Sequence, residues 1–216
     1  MNLSERNNMK KIIIAMMVCI LALLLGGCGK AETQNQATQP QLKNGKVLVI
    51  YYSRTGENYG VGNIEKGNTH IVADMIAKAT NADEFEIKTV ESYPNDYTEA
   101  TKVAKEEQSQ KARPELATKI DNLADYDTVF IGYPIWWSDM PMAMYTFLDT
   151  YDLSGKTVVP FATHAGSGLA NTVSTIRDLE PKATVLDGKT FLGVDAQKNP
   201  DKVQQDVNEW MKQLGR

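Results

Sequence analysis

The sequence is poor in cysteine and histidine and has no excess of positive charge. Its 216 residues hold two Cys and two His, and 23 Lys and Arg stand against 27 Asp and Glu. A net charge of −4 lacks the electrostatic footprint of nucleic-acid binding. With 15 Gly, 8 Pro and 42% hydrophobic residues, the chain is neither collagen-like nor compositionally disordered. Cys19 and Cys28 both lie near the N-terminus. The rest of the chain has no thiol, which excludes structural disulfides, thiol redox chemistry and cysteine-ligated metal from the folded body. No metal site is expected.

The N-terminal segment has the layout of an export signal. Lys10-Lys11 precedes Ile12 to Leu25, a charge-free run too short to span a bilayer. It ends in Leu25-Gly26-Gly27-Cys28, which resembles the lipobox of bacterial lipoproteins. Residues 1–27 are therefore expected to be a lipoprotein signal peptide. Cys28 would carry lipid and hold the protein at the extracytoplasmic face of the cell membrane. Residues 28–45 are rich in Gln, Thr and Ala and read as a solvated tether. Residues 46–216 are expected to form one folded domain.

Within that domain, strand and helix patterns alternate. Lys46–Ser53 is a nearly continuous apolar run, as in a strand covered on both faces. Residues 68–80 place Ile71, Val72, Met75, Ile76 and Ala79 at helical spacing, with Asn68 or Thr69 as the expected N-cap. An edge strand is expected at 84–90 and a polar helix at 96–110. A buried strand follows at 126–134, a helix at 141–151 and a strand at 157–163. A helix at 169–179 and a fifth strand at 184–193, broken by Asp187-Gly188, come next. A last helix carries Val203, Val207, Trp210, Met211 and Leu214 on one stripe. Five strands alternating with helices predict an α/β, doubly wound parallel sheet. Such sheets bind ligands beyond the carboxyl ends of their strands. Loops 53–69, 134–140 and 163–168 fall there.

Loop 53–69 opens a helix, whose free amides and dipole favour a phosphate group. Gly62 to Thr69 nearly spells the nucleotide-binding GxxxxGK[ST], but Asn68 stands where the lysine is required. Loop 134–140 places Trp136 and Trp137 side by side, so both can hardly enter the core, and an indole would stack well on a planar ligand. Loop 163–168 is built of small residues that allow close backbone approach. It is not a nucleophile elbow, because Ala165 and Leu169 occupy the positions GxSxG reserves for glycine. His164 reads as a hydrogen-bonding loop residue or as a contact for a bound acceptor.

KVLVIYYSRTG, then GNT opening a helix, YDTVFIGYPIWWSDMP and PFATHAGSG together resemble the flavodoxin-like family over residues 45–193. The resemblance implies strand order 2-1-3-4-5 and noncovalent FMN. Carried over by position, Ser53, Arg54, Thr55, Asn68 and Thr69 would cradle the phosphate. Pro134, Ile135, Trp136 and Trp137 would flank the isoalloxazine, and Thr163, Gly166, Ser167 and Gly168 would close the other side. The chemistry would reside on FMN, with no catalytic acid or base among the side chains.

Three departures from the family pattern bear on function. Residues 57–67 interrupt the usual phosphate loop. Ser138 follows the tryptophans where flavodoxins have a glycine whose backbone reorients towards flavin N5, and a residue with a Cβ is expected to resist positive φ there. Loop 163–168 has no Tyr, which would leave one face of the ring open. These departures tilt the expectation towards a membrane-tethered oxidoreductase passing electrons to a quinone-like or other redox partner. A one-electron carrier and a flavin-free binding lipoprotein retaining the fold are the alternatives.

Overall fold

The computed structural model describes residues 41–42 and 45–216. The expected signal peptide, the lipidation at Cys28 and most of the tether lie outside the described residues. Leu42 does not: it is buried against the core, and its N–H donates to the Leu214 carbonyl at 2.9 Å. The folded body therefore reaches back into the stretch expected to be solvated.

The main sheet is built from β1 (Val47–Tyr52), β4 (Asp83–Ile87), β5 (Thr128–Pro134), β6 (Thr157–His164), β7 (Thr184–Val185) and β8 (Lys189–Leu192). Its order is β4-β1-β5-β6-β7, with β8 also paired to β6, and every ladder is parallel. Counting β7 and β8 as one interrupted fifth strand, this is the 2-1-3-4-5 order implied by the sequence. The break falls at residues 186–188, as Asp187-Gly188 suggested.

β1 shows why a continuous apolar run makes a central strand. All six residues are buried. Val47, Val49 and Tyr51 enter one core layer and Leu48, Ile50 and Tyr52 the other, following the two-residue period of a strand. The first layer is covered by α1 (Asn68–Thr80) and α6 (Pro200–Gln213), through Val72, Ile76, Val207 and Trp210. The second is covered by α3 (Met142–Thr150) and α4 (Thr172–Leu179), through Met144, Phe147 and Ile176.

Two elements were not foreseen. The 57–67 insertion folds as an antiparallel hairpin of β2 (Gly56–Asn58) and β3 (Gly62–Ile64). A short helix α5 (Gly193–Lys198) precedes α6. Helix α2 (Tyr97–Gln110) is polar, as expected, and buries only Ala100 and Ala104. Its N-terminus is capped by Asp96, whose carboxylate accepts the Glu99 N–H at 2.8 Å. Among the described residues, no helix is long and apolar enough to cross a membrane.

Candidate functional site

The carboxyl ends of β1, β5 and β6 bring the three loops together, and the joints between them are specific. Helix α1 begins at Asn68 with Gly67 as its N-cap, not Asn68 or Thr69. Position 67 itself requires glycine: a Cβ there would lie 2.2 Å from Ser53 Oγ and 2.6 Å from the Arg54 carbonyl oxygen. Capping comes from across the loop, where Ser53 Oγ accepts the His70 N–H at 3.1 Å. This leaves the Asn68 and Thr69 amides, in the first turn of α1, without a protein acceptor among the described residues. Their side chains are engaged elsewhere. The Thr69 hydroxyl meets the Thr163 hydroxyl at 2.7 Å, and Asn68 Oδ1 accepts from Gln197 Nε2 at 2.9 Å.

Arg54 does not direct its guanidinium to the start of α1. It donates to the carbonyls of Glu57, Pro94 at 2.7 Å and Asn95 at 2.8 Å. It is thus a clamp between the β2–β3 hairpin and the segment leading into α2. Further ties hold the hairpin. Glu57 N–H donates to the Asn95 carbonyl, Glu57 Oε2 accepts the Tyr97 N–H, and Lys198 Nζ donates to the Gly60 carbonyl.

The tryptophan loop corrects one expectation. Trp137 and Ser138 both have positive φ, 51° and 61°. Trp136 and Asp139 close the turn with reciprocal backbone bonds of 2.8 and 3.0 Å, the pattern of a type I′ turn. The Cβ atoms did not prevent this conformation, because the turn is anchored on both sides. The Asp139 carboxylate accepts the Tyr145 hydroxyl and the Met140 N–H. The Trp137 carbonyl accepts from Gln108 Nε2 at 3.2 Å, and its indole Nε1 donates to the Thr101 carbonyl at 3.0 Å. The two indoles have different surroundings. Trp136 packs edge-on against Tyr52 and Tyr93, with ring centroids 5.6 and 5.0 Å away. Trp137 is 50% exposed, and the Lys105 ammonium stands 5.1 Å from its ring centre.

In loop 163–168, His164 Nδ1 accepts the N–H groups of Gly166 at 2.9 Å and Gly168 at 3.1 Å. It is the hydrogen-bonding loop residue. Burial holds its pKa below the usual histidine value, in keeping with a neutral ring that accepts at Nδ1. Gly166 and Gly168 take φ of 132° and 64°, which lets the loop wrap the imidazole.

A cleft of about 240 Å³ lies between these loops. Of the expected residues, Asn68, Pro134, Ile135, Trp136, Thr163 and His164 line it. Trp137 lines an adjoining cavity of about 330 Å³ instead. Ser53 and Thr55 face a third cavity, towards His70 and Glu86. Gly166, Ser167 and Gly168 line none of these three. Sequence reasoning missed Asn58, Tyr59 and Tyr97, which also line the cleft. The rings of Tyr59 and Tyr97 are 6.2 Å apart, so aromatic lining absent from loop 163–168 comes from the hairpin and α2. The single Tyr of the insertion was the available signal.

At the third cavity, which His70 lines, His70, Asp74 and Glu84 place possible metal-ligand atoms within 4.8 Å of one another. Asp74 is already engaged by Lys66 and by His70 Nε2 at 3.3 Å. His70 is held below the usual histidine pKa by burial and by Lys66.

The flavodoxin family model matches residues 46–214. Among solved structures, a Bacteroides eggerthii protein assigned as a flavoprotein shares 29% identity at a TM-score of 0.64. The match covers 80% of this chain and 99% of that one. A Bacteroides uniformis protein, also assigned as a flavoprotein, shares 30% identity at a TM-score of 0.63, over 79% and 99% of the two chains. A Lactobacillus acidophilus flavoprotein solved in complex with FMN shares 24% identity at a TM-score of 0.56, over 72% and 97%.

Proposed function

This chain belongs to the flavodoxin family, and we propose that it binds FMN in the cleft between loops 53–69, 134–140 and 163–168 and serves as an electron-transfer oxidoreductase. The observation that carries this reading is the pair of acceptor-free amides at Asn68 and Thr69 in the first turn of α1, where Asn68 lines a cleft walled by Trp136 and Ile135. A helix N-terminus suits a phosphate, and an apolar aromatic cleft suits an isoalloxazine. The residues present fit the group.

When bound, FMN would supply the electron-accepting and electron-donating chemistry. The chain's own residues bind, orient and shield. The Asn68 and Thr69 amides hold the phosphate, and Ser53, whose hydroxyl accepts the His70 N–H, shapes the helix start that presents them. Arg54 contributes by fixing the hairpin. Trp136 and Ile135 provide one wall, and Tyr59 and Tyr97 provide aromatic cover from the other elements. Neutral His164, with Nδ1 committed to two amides, has Nε2–H left to donate towards a bound acceptor. The acceptor class we propose is quinone-like. We further place the domain at the extracytoplasmic face of the membrane, held by lipid on Cys28. This rests on the position of that cysteine at the end of the apolar run.

Titration of the apoprotein with FMN tests the central claim. Stoichiometric quenching of flavin fluorescence is expected. Absence of binding at micromolar FMN would overturn it.

A further inference from the structure

Helix α1 and strand β4 meet through polar groups. β4 is an edge strand, paired only to β1. Phe85 and Ile87 join the core layer on one of its faces. Glu84 and Glu86 therefore project from the other face, the one that α1 covers. On α1, His70 and Asp74 stand one helical turn apart and share a side of the helix. Packing α1 on β4 thus gathers one imidazole and two carboxylates, those of His70, Asp74 and Glu84.

The three groups are arranged as ligands are. His70 Nε2 and Asp74 Oδ1 are 3.3 Å apart. That exceeds the usual N–H···O hydrogen bond. It matches the separation, about 3.4 Å, of two tetrahedral ligands each about 2.1 Å from a shared ion. The imidazole is steadied by the buried Tyr51 ring, with centroids 4.9 Å apart. Lys66 pairs with Asp74 Oδ2 and leaves Oδ1 towards His70. Ligating carboxylates are commonly held by such an outer partner. Glu84 is exposed, so a change of rotamer disturbs little packing. His70 also lines the third cavity, of about 590 Å³, which gives an ion a way in.

We propose that His70, Asp74 and Glu84 bind one transition-metal dication of the zinc class and so join helix α1 to edge strand β4. The two carboxylates balance the charge of the ion. The imidazole selects zinc and its neighbours over magnesium and calcium, which prefer oxygen alone. Three protein ligands leave a further position to water. The ion's role is to fix the start of α1, because His70 lies in its first turn. The site does not depend on the FMN reading. Sequence reading expected no metal site, since the folded body has no cysteine and the three ligands meet only through the packing of α1 on β4.

Calorimetric titration with zinc, nickel and magnesium chlorides provides the test. It uses the full-length chain without an affinity tag, stripped with EDTA, with Cys19 and Cys28 alkylated so that no thiol competes. Zinc and nickel should bind at one equivalent with micromolar affinity, and magnesium at least a hundredfold more weakly. His70→Gln and Glu84→Gln should each weaken zinc at least tenfold. Glu86→Gln removes the same charge from the same face of β4 and should change zinc affinity less than threefold. Saturating zinc should raise the melting temperature of the parent by about 5 °C. The gain should vanish in His70→Gln, whose melting transition without metal shows that it folds. No zinc binding at micromolar concentration would overturn the proposal. So would zinc affinity unchanged by both ligand substitutions, a loss in Glu86→Gln equal to that in Glu84→Gln, or magnesium bound as tightly as zinc.

Discussion

The hydroxyls of Thr69 and Thr163, 94 positions apart in the chain, meet at 2.7 Å and are buried. The contact joins the first turn of α1 to the end of β6. It therefore links the loop proposed to hold phosphate to the loop on the other side of the cleft. Thr163 also accepts the Ile135 N–H through its carbonyl at 2.8 Å, which brings in the tryptophan loop. One residue thus ties all three loops.

Substituting one partner strands the other. Thr69→Val or Thr163→Val should each cost about 1–3 kcal/mol, because a buried hydroxyl is left without its partner. The double variant should cost clearly less than the two single losses added together. Urea denaturation of the apoprotein gives the four values of the cycle, and strict additivity would show that the contact contributes nothing.

FMN should outbind riboflavin by a wide margin. Riboflavin lacks the phosphate that would use the Asn68 and Thr69 amides. Losing several charge-assisted hydrogen bonds should cost roughly 3–6 kcal/mol. Competition titrations measure the difference, and equal affinities would remove the helix N-terminus from the site.

The two tryptophans should separate in a stability assay. Trp136→Ala removes an indole packed on Tyr52 and Tyr93 and should destabilise the apoprotein by about 3–5 kcal/mol. Trp137→Ala removes a half-exposed ring and should cost well under that. Ser138→Gly, at φ 61°, should leave stability unchanged or raise it by up to about 1 kcal/mol. A β-branched residue at 138 should lower it. Thermal denaturation of the set reads all three.

His164 should make stability pH-dependent. Burial holds its folded pKa below the ordinary histidine value of 6.5, so the unfolded chain binds the proton more readily. Its contribution is complete above pH 6.5 and is lost as pH falls through the lowered folded pKa. Protonation at Nδ1 removes the acceptor for Gly166 and Gly168. His70 is shifted in the same direction and adds to the slope. In His164→Asn, whose Oδ1 can accept the same amides, the fall in melting temperature below pH 6.5 should be shallower than in the parent. An unchanged slope would assign the whole effect to other groups.

The sheet was legible from the sequence because burial on both faces forces long apolar runs. Val47–Tyr52, Thr128–Pro134 and Thr157–His164 are central strands that could hardly be anything else. The break at Asp187-Gly188 and the three loops at the strand ends were readable for the same reason. By itself the sequence also determined the family, through three motifs in order, and the types of residue that meet a ligand. Only the tertiary structure decided how those residues are used. Position 67 requires glycine and α1 is capped by Ser53 from across the loop, and a local propensity scale cannot see a contact between residues 14 positions apart. Positive φ at Trp137 and Ser138 is held by anchors on α2 and α3 that have no signature in the turn itself. Arg54 turned to the carbonyls of residues 57, 94 and 95, and Tyr59 reached the cleft, because the insertion folded back as a hairpin. Periodicity reports which face of an element is buried. Which distant backbone a side chain will reach is a property of the assembled fold.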